Sequence, residues 1–285
     1  MARSGGPGPS CPPPGRRTGP GPPDLGWPPL APAYNRLPMA DRDEILAHAH
    51  ALLDLDAFPD YGPMGMQVVG ATEVTKIVCG VSASLELFQR TAAAGGELLI
   101  VHHGLFWDNE SRVVDGLLKA RLKALFDAEI TLAAYHLALD AHPEIGNNAR
   151  LAQELGVAVA GTFGGVGVGG VLRTPESGDA FVRRVEALVG RQPVAFTHGP
   201  AVVERIAICS GAAGRDLPRA AAEGYDLYLT GEPEESSLEQ AKELGIHFVA
   251  AGHHATERLG VQALTALLAE RFGLGWVFVE LDNPV

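Results

Sequence analysis

Two adjacent histidines, His102 and His103, end an apolar run of the sequence that we predict to be a buried strand. Open α/β sheets bind ligands at this end of their strands. In an extended chain neighbouring side chains point to opposite faces, so a bend, or two separate metal ions, is needed for both imidazoles to bind metal. The pair therefore suggests a two-metal site.

Two further motifs place a carboxylate four residues after a histidine, again at the ends of predicted strands. They are His136 with Asp140 and His253 with Glu257. If a helix begins near His253, this spacing places His253 and Glu257 on one helix face, and one glutamate carboxylate can bridge two cations. A lone histidine at a strand end is more often structural, but three such arrangements together favour metal binding.

The elements that position these residues follow an α/β pattern, because apolar strand patterns alternate with helical ones from residue 40 onward. We predict mixed, largely parallel sheets. The strands are expected at 76–81, 97–101, 130–135, 205–208, 226–229 and 246–251, and helices at 85–94, 117–126, 218–223 and 237–244. Residues 60–67 are expected to form a turn before the first strand, and the glycine-rich segment 161–170 a loop or irregular strand.

An internal repeat is visible in the sequence. Residues 76–103 share their pattern with 205–232, and 130–140 with 247–257, which pairs the two histidine–carboxylate motifs. The repeat predicts two related α/β lobes, roughly 39–160 and 170–285, whose strand ends face a shared metal-binding cleft. The alternative is that two α/β stretches resemble each other by chance.

Residues 1–38 differ in composition from the rest, since they hold 12 of the 21 prolines and 7 of the 35 glycines. Such a segment cannot bury enough apolar surface to offset its ordering entropy, so we expect a disordered tail. It lacks the apolar stretch of a secretory signal. We expect the folded domain to span residues 39–285, and Met39 would be a natural start.

The whole-chain composition excludes several classes of function. The formal charge of −12 argues against nucleic acid or an anionic membrane as the main partner, and no apolar run is long enough to cross a bilayer. Three cysteines without paired spacing point to the reducing cytoplasm. Cys209-Ser210-Gly211 lacks the GxSxG pattern of a nucleophile turn, and no phosphate-binding GxxxxGK[ST] loop occurs.

Several stretches together resemble one family. On these stretches the chain resembles the Nif-three-like family of dinuclear metal centre proteins, often labelled GTP cyclohydrolase I type 2 homologues. They are GMQV (65–68), VHHGLFW (101–107), YHLALDAH (135–142), NNARLA (147–152), TGE (230–232) and AAGHHATER (250–258).

The resemblance implies two similar α/β lobes, a ring-shaped homohexamer and two divalent ions per subunit, which could be Fe, Mn, Zn, Ni or Co. It implies that the ions are held by His102, His103, Asp140, His253 and Glu257. The family does not use the residue matching His136 as a ligand, so we expect His136 beside the ligands. Relatives have Asn-Gly-Leu-Gln where this chain has Met64-Gly65-Met66-Gln67, which leaves any substrate contact by that asparagine in doubt.

Two functions are compatible with such a site. The first is a metal-dependent hydrolase acting on a nucleotide-like or cyclic small-molecule substrate, because water on two divalent ions ionises near neutral pH. The second is a non-catalytic metal-binding protein, such as a metallochaperone, a regulator or a scaffold. The sequence assigns no catalytic residue beyond the ligands.

Overall fold

The computed structural model describes residue 1 and residues 38–285, so the tail expected at 1–38 lies almost wholly outside the described residues. The strands are β1 (Ala40–Asp41), β2 (Gly65–Val68), β3 (Glu73–Val74), β4 (Lys76–Ser82), β5 (Leu98–His103), β6 (Thr131–Ala134), β7 (Val157–Phe163), β8 (Gly167–Glu176), β9 (Val194–Thr197), β10 (Val203–Cys209), β11 (Leu227–Thr230), β12 (His247–Ala250) and β13 (Gly275–Phe278). The helices are α1 (Arg42–Leu53), α2 (Leu85–Ala94), α3 (Gly116–Asp127), α4 (Leu137–Ala141), α5 (Asn147–Glu154), α6 (Gly178–Val189), α7 (Leu217–Ala222), α8 (Ser237–Leu244), α9 (His253–Thr256) and α10 (Arg258–Phe272).

The first sheet has five strands in the order β13-β4-β5-β6-β2. Strands β4, β5 and β6 are parallel neighbours, with Ile77 opposite Leu98 and Leu98 opposite Thr131. Strand β13 adds a parallel edge and β2 an antiparallel one. The central strands are buried on both faces, which explains their continuous apolar sequences.

The second sheet has six strands in the order β7-β8-β10-β11-β12-β9. Its centre is again a parallel set of three, β10, β11 and β12. Strands β8 and β9 flank this set in antiparallel orientation. Both sheets therefore bring the carboxyl ends of three parallel strands to one edge, and the predicted site residues follow those ends.

Helices cover both faces of each sheet, and alternate residues of a strand enter different cores. On the first sheet, Ile77 and Ile100 join a cluster with Leu264 of α10, whereas Val78 joins a second cluster with Phe88 of α2. On the second sheet, the side chains of α6 pack in one cluster and those of α7 and α8 in another. The structure confirms the mixed α/β class.

Local signals in the sequence explain how β4 connects to β5. Ser84 caps α2 through a hydrogen bond from the backbone N–H of Leu87, and Gly95 ends the helix with a φ of 67°. The short turn that follows returns the chain to β5 beside β4. His102 and His103 thereby arrive at the edge where β4 and β6 also end.

One sequence-based expectation needs correction, and another is resolved between its two alternatives. The segment 60–67, expected as a turn, contains the start of β2, which pairs with β6. Glycine residues in a sequence usually indicate a turn, and here Gly65 begins a strand with a φ of 85°. For this reason the prediction was wrong. The glycine-rich segment 161–170 belongs to the antiparallel pair β7–β8, with a register shift near Gly161. Of the two alternatives given for it, the irregular strand is the one observed.

The chain does not divide between the two sheets at a single point. Strand β7 begins at Val157 and belongs to the second sheet, whereas β13 returns from the carboxyl end of the chain to pair with β4 of the first. Across residues 38–285, no helix has both the length and the apolar character needed to span a bilayer.

Candidate metal centre

Strand β5 supplies two imidazoles that occupy different surroundings. His102 is fully buried, and its Nδ1 lies 2.9 Å from the carbonyl oxygen of Tyr135. In the neutral imidazole that binds metal, this bond assigns the proton to Nδ1 and leaves Nε2 with a free lone pair. His103 is partly exposed, with its Nδ1 2.9 Å from Oγ of Ser82, and the two ring centroids are 4.8 Å apart. Each ring thus keeps Nε2 directed away from its hydrogen-bond partner.

Asp140, on α4, follows β6 and is buried. Asn147 donates from Nδ2 to Oδ1 of Asp140 at 2.8 Å, and Ser210 donates from Oγ to the same oxygen at 3.3 Å. The other oxygen, Oδ2, lies 3.4 Å from Nε2 of His102. Asn147 and Ser210 therefore fix the carboxylate so that one oxygen faces the imidazole.

The turn after β12 supplies the remaining two predicted ligands. Gly252 has a φ of 101°, which lets the chain turn sharply from β12 into α9. Nε2 of His253 lies 3.1 Å from Oε2 of Glu257, as the four-residue spacing predicts, and its Nδ1 lies 2.5 Å from Oε1 of Glu232. His254 faces the opposite way and contacts Glu280 at 2.6 Å.

These side chains converge on the buried carboxylate of Glu257. Its Oε1 lies 3.6 Å from Nε2 of His102, and its Oε2 lies 3.1 Å from Nε2 of His103. Two groups could each hold a metal ion, since in each the potential ligand atoms lie within 4.8 Å of one another. They are His102, Asp140 and Glu257, and His103, His253 and Glu257. The structure therefore brings all five predicted residues together, with Glu257 shared by both groups.

The electrostatics of the cluster favour cations. Burial opposes the charge on Glu257, but His102, His103 and His253 outweigh it and hold the pKa of Glu257 well below 4.5. Burial likewise opposes protonation of His102, yet Asp140 and Glu257 raise its pKa well above 6.5. The pKa of His253 rises to about 9 because Glu257 and Glu232 outweigh its burial. Burial, with the charges of the two neighbouring imidazoles, lowers the pKa of His103.

Two unpartnered atoms show that the site fits a bound metal. Nε2 of His102 and Oε2 of Glu257 are shielded from solvent and make no hydrogen bond with any described residue, since the neighbouring atoms approach outside hydrogen-bonding geometry. Leaving such atoms unsatisfied costs about 1 to 3 kcal/mol each. Imidazole nitrogen and carboxylate oxygen are donors that divalent transition metals accept, so coordination would satisfy both atoms.

The segment after β10 also shapes the site. Gly211 has a φ of 68°, and a Cβ atom there would lie 2.3 Å from Oε1 of Glu257 and 3.3 Å from Nε2 of His253. Only glycine fits against the carboxylate. The Cys209-Ser210-Gly211 motif, which fits a nucleophile turn poorly, thus contacts the cluster through Ser210 and Gly211.

His136 lies beside the five residues, and its partner was missed in the sequence. Its Nδ1 lies 2.8 Å from Oδ1 of Asp60, whose Oδ2 accepts a bond from the backbone N–H of Leu137 at 2.8 Å. The ring centroid of His136 is 5.0 Å from that of His102. His136 could also join His102 and His103 in a third possible metal-binding group.

Gln67 holds the loop that follows the two histidines, a role that sequence reasoning also missed. Its Oε1 accepts bonds from the backbone N–H groups of Leu105, at 2.6 Å, and Phe106, at 3.4 Å. Its Nε2 donates to the carbonyl of Pro63 at 2.7 Å. The only signal for this contact is that Gln67 and the histidine pair both fall in recognisable motifs.

The fold and the site define an α/β protein in which clustered imidazoles and carboxylates could bind metal. The chain matches the family model described as Duf34/NIF3 (NGG1p interacting factor 3) over residues 40–284. It belongs to this family, which agrees with the resemblance seen in its motifs.

Individual relatives support the assignment. The Escherichia coli protein named GTP cyclohydrolase 1 type 2 homolog is 44% identical over 233 residues, covering 81% of this chain and 94% of that protein. The Pseudomonas aeruginosa protein of the same name is 42% identical over 245 residues, covering 84% of this chain and 97% of that protein.

Solved structures agree with the fold. One is described as protein ybgI, of unknown function, with a TM-score of 0.84 and 42% identity, covering 86% of this chain and all (100%) of that one. Another, from Thermus thermophilus, has a TM-score of 0.81 and 37% identity, with 86% and 100% coverage.

Proposed function

We propose that the protein binds two divalent metal ions and uses them to hydrolyse a nucleotide-like or cyclic small molecule. The observation that carries this proposal is the position of Glu257, whose two oxygens face two separate groups of potential ligands. A carboxylate shared in this way is typical of two-metal hydrolases. The name of the curated relatives, GTP cyclohydrolase 1 type 2 homolog, supports a hydrolytic reaction on a heterocycle.

In this proposal His102, Asp140 and Glu257 would hold one ion, and His103, His253 and Glu257 would hold the other. Divalent ions at such a site lower the pKa of water and polarise a carbonyl, amidine or phosphoryl oxygen. Six ligand contacts shared between two ions leave coordination positions open, as a catalytic site requires. The identity of the ions is left to measurement, because nitrogen and oxygen donors accept Fe, Mn, Zn, Ni or Co.

The residues around the ligands prepare the site for a reaction. Tyr135, through its carbonyl, and Glu232 orient the rings of His102 and His253. Asp60 accepts a hydrogen bond from the Nδ1–H group of His136. This leaves Nε2 of His136 as the nitrogen that can accept or return a proton beside the proposed ligands. His136 is therefore proposed as the proton-transfer residue of the hydrolase.

The test is a turnover screen of metal-loaded protein against nucleotides, cyclic phosphoesters and cyclic amides, with products identified by mass spectrometry. His136→Gln should keep its metal and lose at least about a hundredfold in rate, because general acid–base catalysis contributes that much. His50→Gln, at an exposed histidine of α1, is the matched control and should remain active. Full metal content without turnover of any compound would instead support a metallochaperone, regulator or scaffold.

We further propose, on the family resemblance, that six copies assemble into a ring in the cytoplasm. Light scattering should then give six times the chain mass of 29.9 kDa. A monomer or dimer at micromolar concentration would contradict this assembly. No residue of the metal-binding proposal depends on that outcome, since all five potential ligands come from one chain.

A further inference from the structure

A cavity of about 660 Å³ lies beside the candidate metal centre. Its walls come from the loop after β5 and from α3, and include Leu105, Trp107, Val114, Leu117 and Leu118. The volume is that of a pocket for a small organic molecule. Val114 and Leu117 are 58% and 57% exposed, so the lining offers apolar surface that no other part of residues 38–285 covers.

Trp107 lines this cavity, and its ring also lies beside two histidines of the candidate metal centre. Its ring meets that of His136 edge-on, with centroids 5.2 Å apart, and lies 6.3 Å from the ring of His103. The backbone N–H of Asp108 donates to the carbonyl of Tyr61 at 2.8 Å, and Gln67 holds the two residues before Trp107. The wall is thus fixed by hydrogen bonds, and a ligand against Trp107 would extend toward the metal centre.

The cavity also contains an arginine, Arg121, one of whose guanidinium nitrogens is shielded and unpartnered among the described residues. This nitrogen is Nε. Arg112, a second guanidinium in the lining, is exposed, so Arg121 is the better shielded of the two charges. Of the acids there, Asp115 uses its carboxylate to cap α3 through the backbone N–H of Leu118. Asp108 and Glu110, the other two, are exposed and remain hydrated.

A guanidinium with an unpartnered nitrogen in a partly shielded apolar wall favours an anion that it can hold through charge-assisted hydrogen bonds. Aromatic faces and edges such as those of Trp107 favour a planar ring. Because Arg121 and Trp107 line the same cavity, a ligand that carries both an anionic group and a planar ring would contact both residues.

We infer that this cavity binds the non-reacting part of an anionic, ring-bearing substrate, with the ring against Trp107 and the negative group on Arg121. That the ligand is a substrate rests on the proposed function, whereas the binding site itself is inferred from the cavity and Arg121. Binding energy gained here would position the reacting bond at the ions.

The probe for the test is anilinonaphthalene sulfonate, which joins a planar ring system to one anionic group. We expect one molecule per subunit, with tryptophan-sensitised emission that falls strongly in Trp107→Phe, because Trp107 is the tryptophan in the cavity lining. Arg121→Gln should weaken binding about tenfold, as expected for one partly shielded charge-assisted pair. The neutral probe N-phenylnaphthylamine should bind wild type and Arg121→Gln equally.

Matched controls separate the cavity from general surface binding. Val114→Asp should weaken the sulfonate probe at least tenfold, whereas Val69→Asp, at an equally exposed valine (58%) outside the lining, should not. Arg183→Gln, at an exposed arginine of α6, controls for Arg121→Gln. Equal affinities across all these variants, or several weak sites per subunit, would overturn the inference.

The metal centre is measured separately in the same samples. Probe binding should persist after chelation, and Arg121→Gln should keep full metal content. Loss of metal binding with intact, Arg121-dependent probe binding would reject the proposed function and leave the cavity standing. Intact metal binding together with probe binding that does not depend on Arg121 would overturn the cavity inference and leave the proposed function standing.

Discussion

Glu257 shows how a local sequence pattern and long-range packing combine at one residue. Its contact with His253 could be predicted, because four residues of helical spacing bring the two side chains together. Its contacts with His102 and His103 do not follow from local spacing; they were expected from the strand ends, the repeat and the family resemblance. The need for Gly211 against its Oε1 could not be predicted, since no local pattern links residues 46 positions apart.

Asp60 was missed for the same physical reason. It lies 76 residues before His136, in a segment that was expected to be a plain turn. Burial opposes ionisation of Asp60, but the bonds from His136, Tyr61 and Leu137 outweigh it and hold the pKa of Asp60 below its usual 3.8. The contact can be found only once β2 is placed beside β6.

We predict that Asp60→Asn lowers the free energy of unfolding at pH 7 by about 1 to 2 kcal/mol, because hydrogen bonds to a charged acceptor are lost. The pKa of Asp60 is lower in the folded state, so its contribution is present above about pH 3.8 and is lost as the pH falls through the folded value. Urea unfolding of both proteins across this range is the measurement. Asp282→Asn, at an exposed aspartate, should show no such difference, and a gap that stays constant into acid would refute the assignment.

Asn147 joins the proposed ligand Asp140 to α10, since it donates to Asp140 and accepts a hydrogen bond from the backbone N–H of Gly260 at 2.7 Å. We predict that Asn147→Ala costs about 1 to 3 kcal/mol of unfolding free energy and weakens metal binding about tenfold to a hundredfold. Calorimetric metal titration beside denaturant unfolding separates the two effects. Asn109→Ala, at an exposed position, is the control. Unchanged metal affinity would show that Asp140 needs no such support.

At the scale of the elements, the parallel strands were the predictable part of the fold. Strands β4, β5, β6, β10, β11 and β12 follow continuous apolar runs, and all six were expected near their observed positions. The edge strands β2 and β13 were not expected. Both edge strands have only four residues and begin with glycine, and they lack the long buried apolar run that marks the central strands. Their pairing is decided by the sheet that receives them.

The missed strand β2 has a direct consequence for the site, because it carries Gln67 against the loop after β5. We predict that Gln67→Leu lowers the free energy of unfolding by about 1 to 3 kcal/mol, since two backbone N–H groups lose their acceptor. It should also change the emission of Trp107, which lies on the freed loop. Gln89→Leu, on the exposed face of α2, controls for added apolar surface. Equal stability of the two variants would contradict the role given to Gln67.

At the scale of the whole molecule, two sheets contribute to one cluster. His102 and His103 end a strand of the first sheet and Asp140 follows another, whereas His253 and Glu257 follow a strand of the second. The internal repeat predicted that paired motifs would meet, and the strand ends of both sheets do carry the clustered residues. The return of β13 to the first sheet was not visible in the repeat, because it depends on how α10 crosses that sheet.

Because the proposed ligands come from both sheets, metal should stabilise the whole domain. At free metal a hundredfold above Kd, each site adds about 2.7 kcal/mol. We predict that chelation lowers Tm by roughly 5 to 10 °C for each site emptied. Differential scanning calorimetry with and without chelator measures this shift. The Tm of Glu257→Gln protein should hardly change on chelation. A wild-type Tm that also did not change would argue against a metal site that links the two sheets.

The most direct test of the account is the number of metal ions that one chain binds. Metal-free protein is titrated with Mn²⁺ or Zn²⁺, and bound metal is counted by elemental analysis after removal of free ions. We predict two equivalents of metal for wild type, and one each for Asp140→Asn and His253→Ala. Glu257→Gln should bind fewer than one equivalent, and the exposed control Glu239→Gln should keep two. A wild type that binds no more than one ion, or a Glu257→Gln protein that still binds two, would contradict the shared carboxylate.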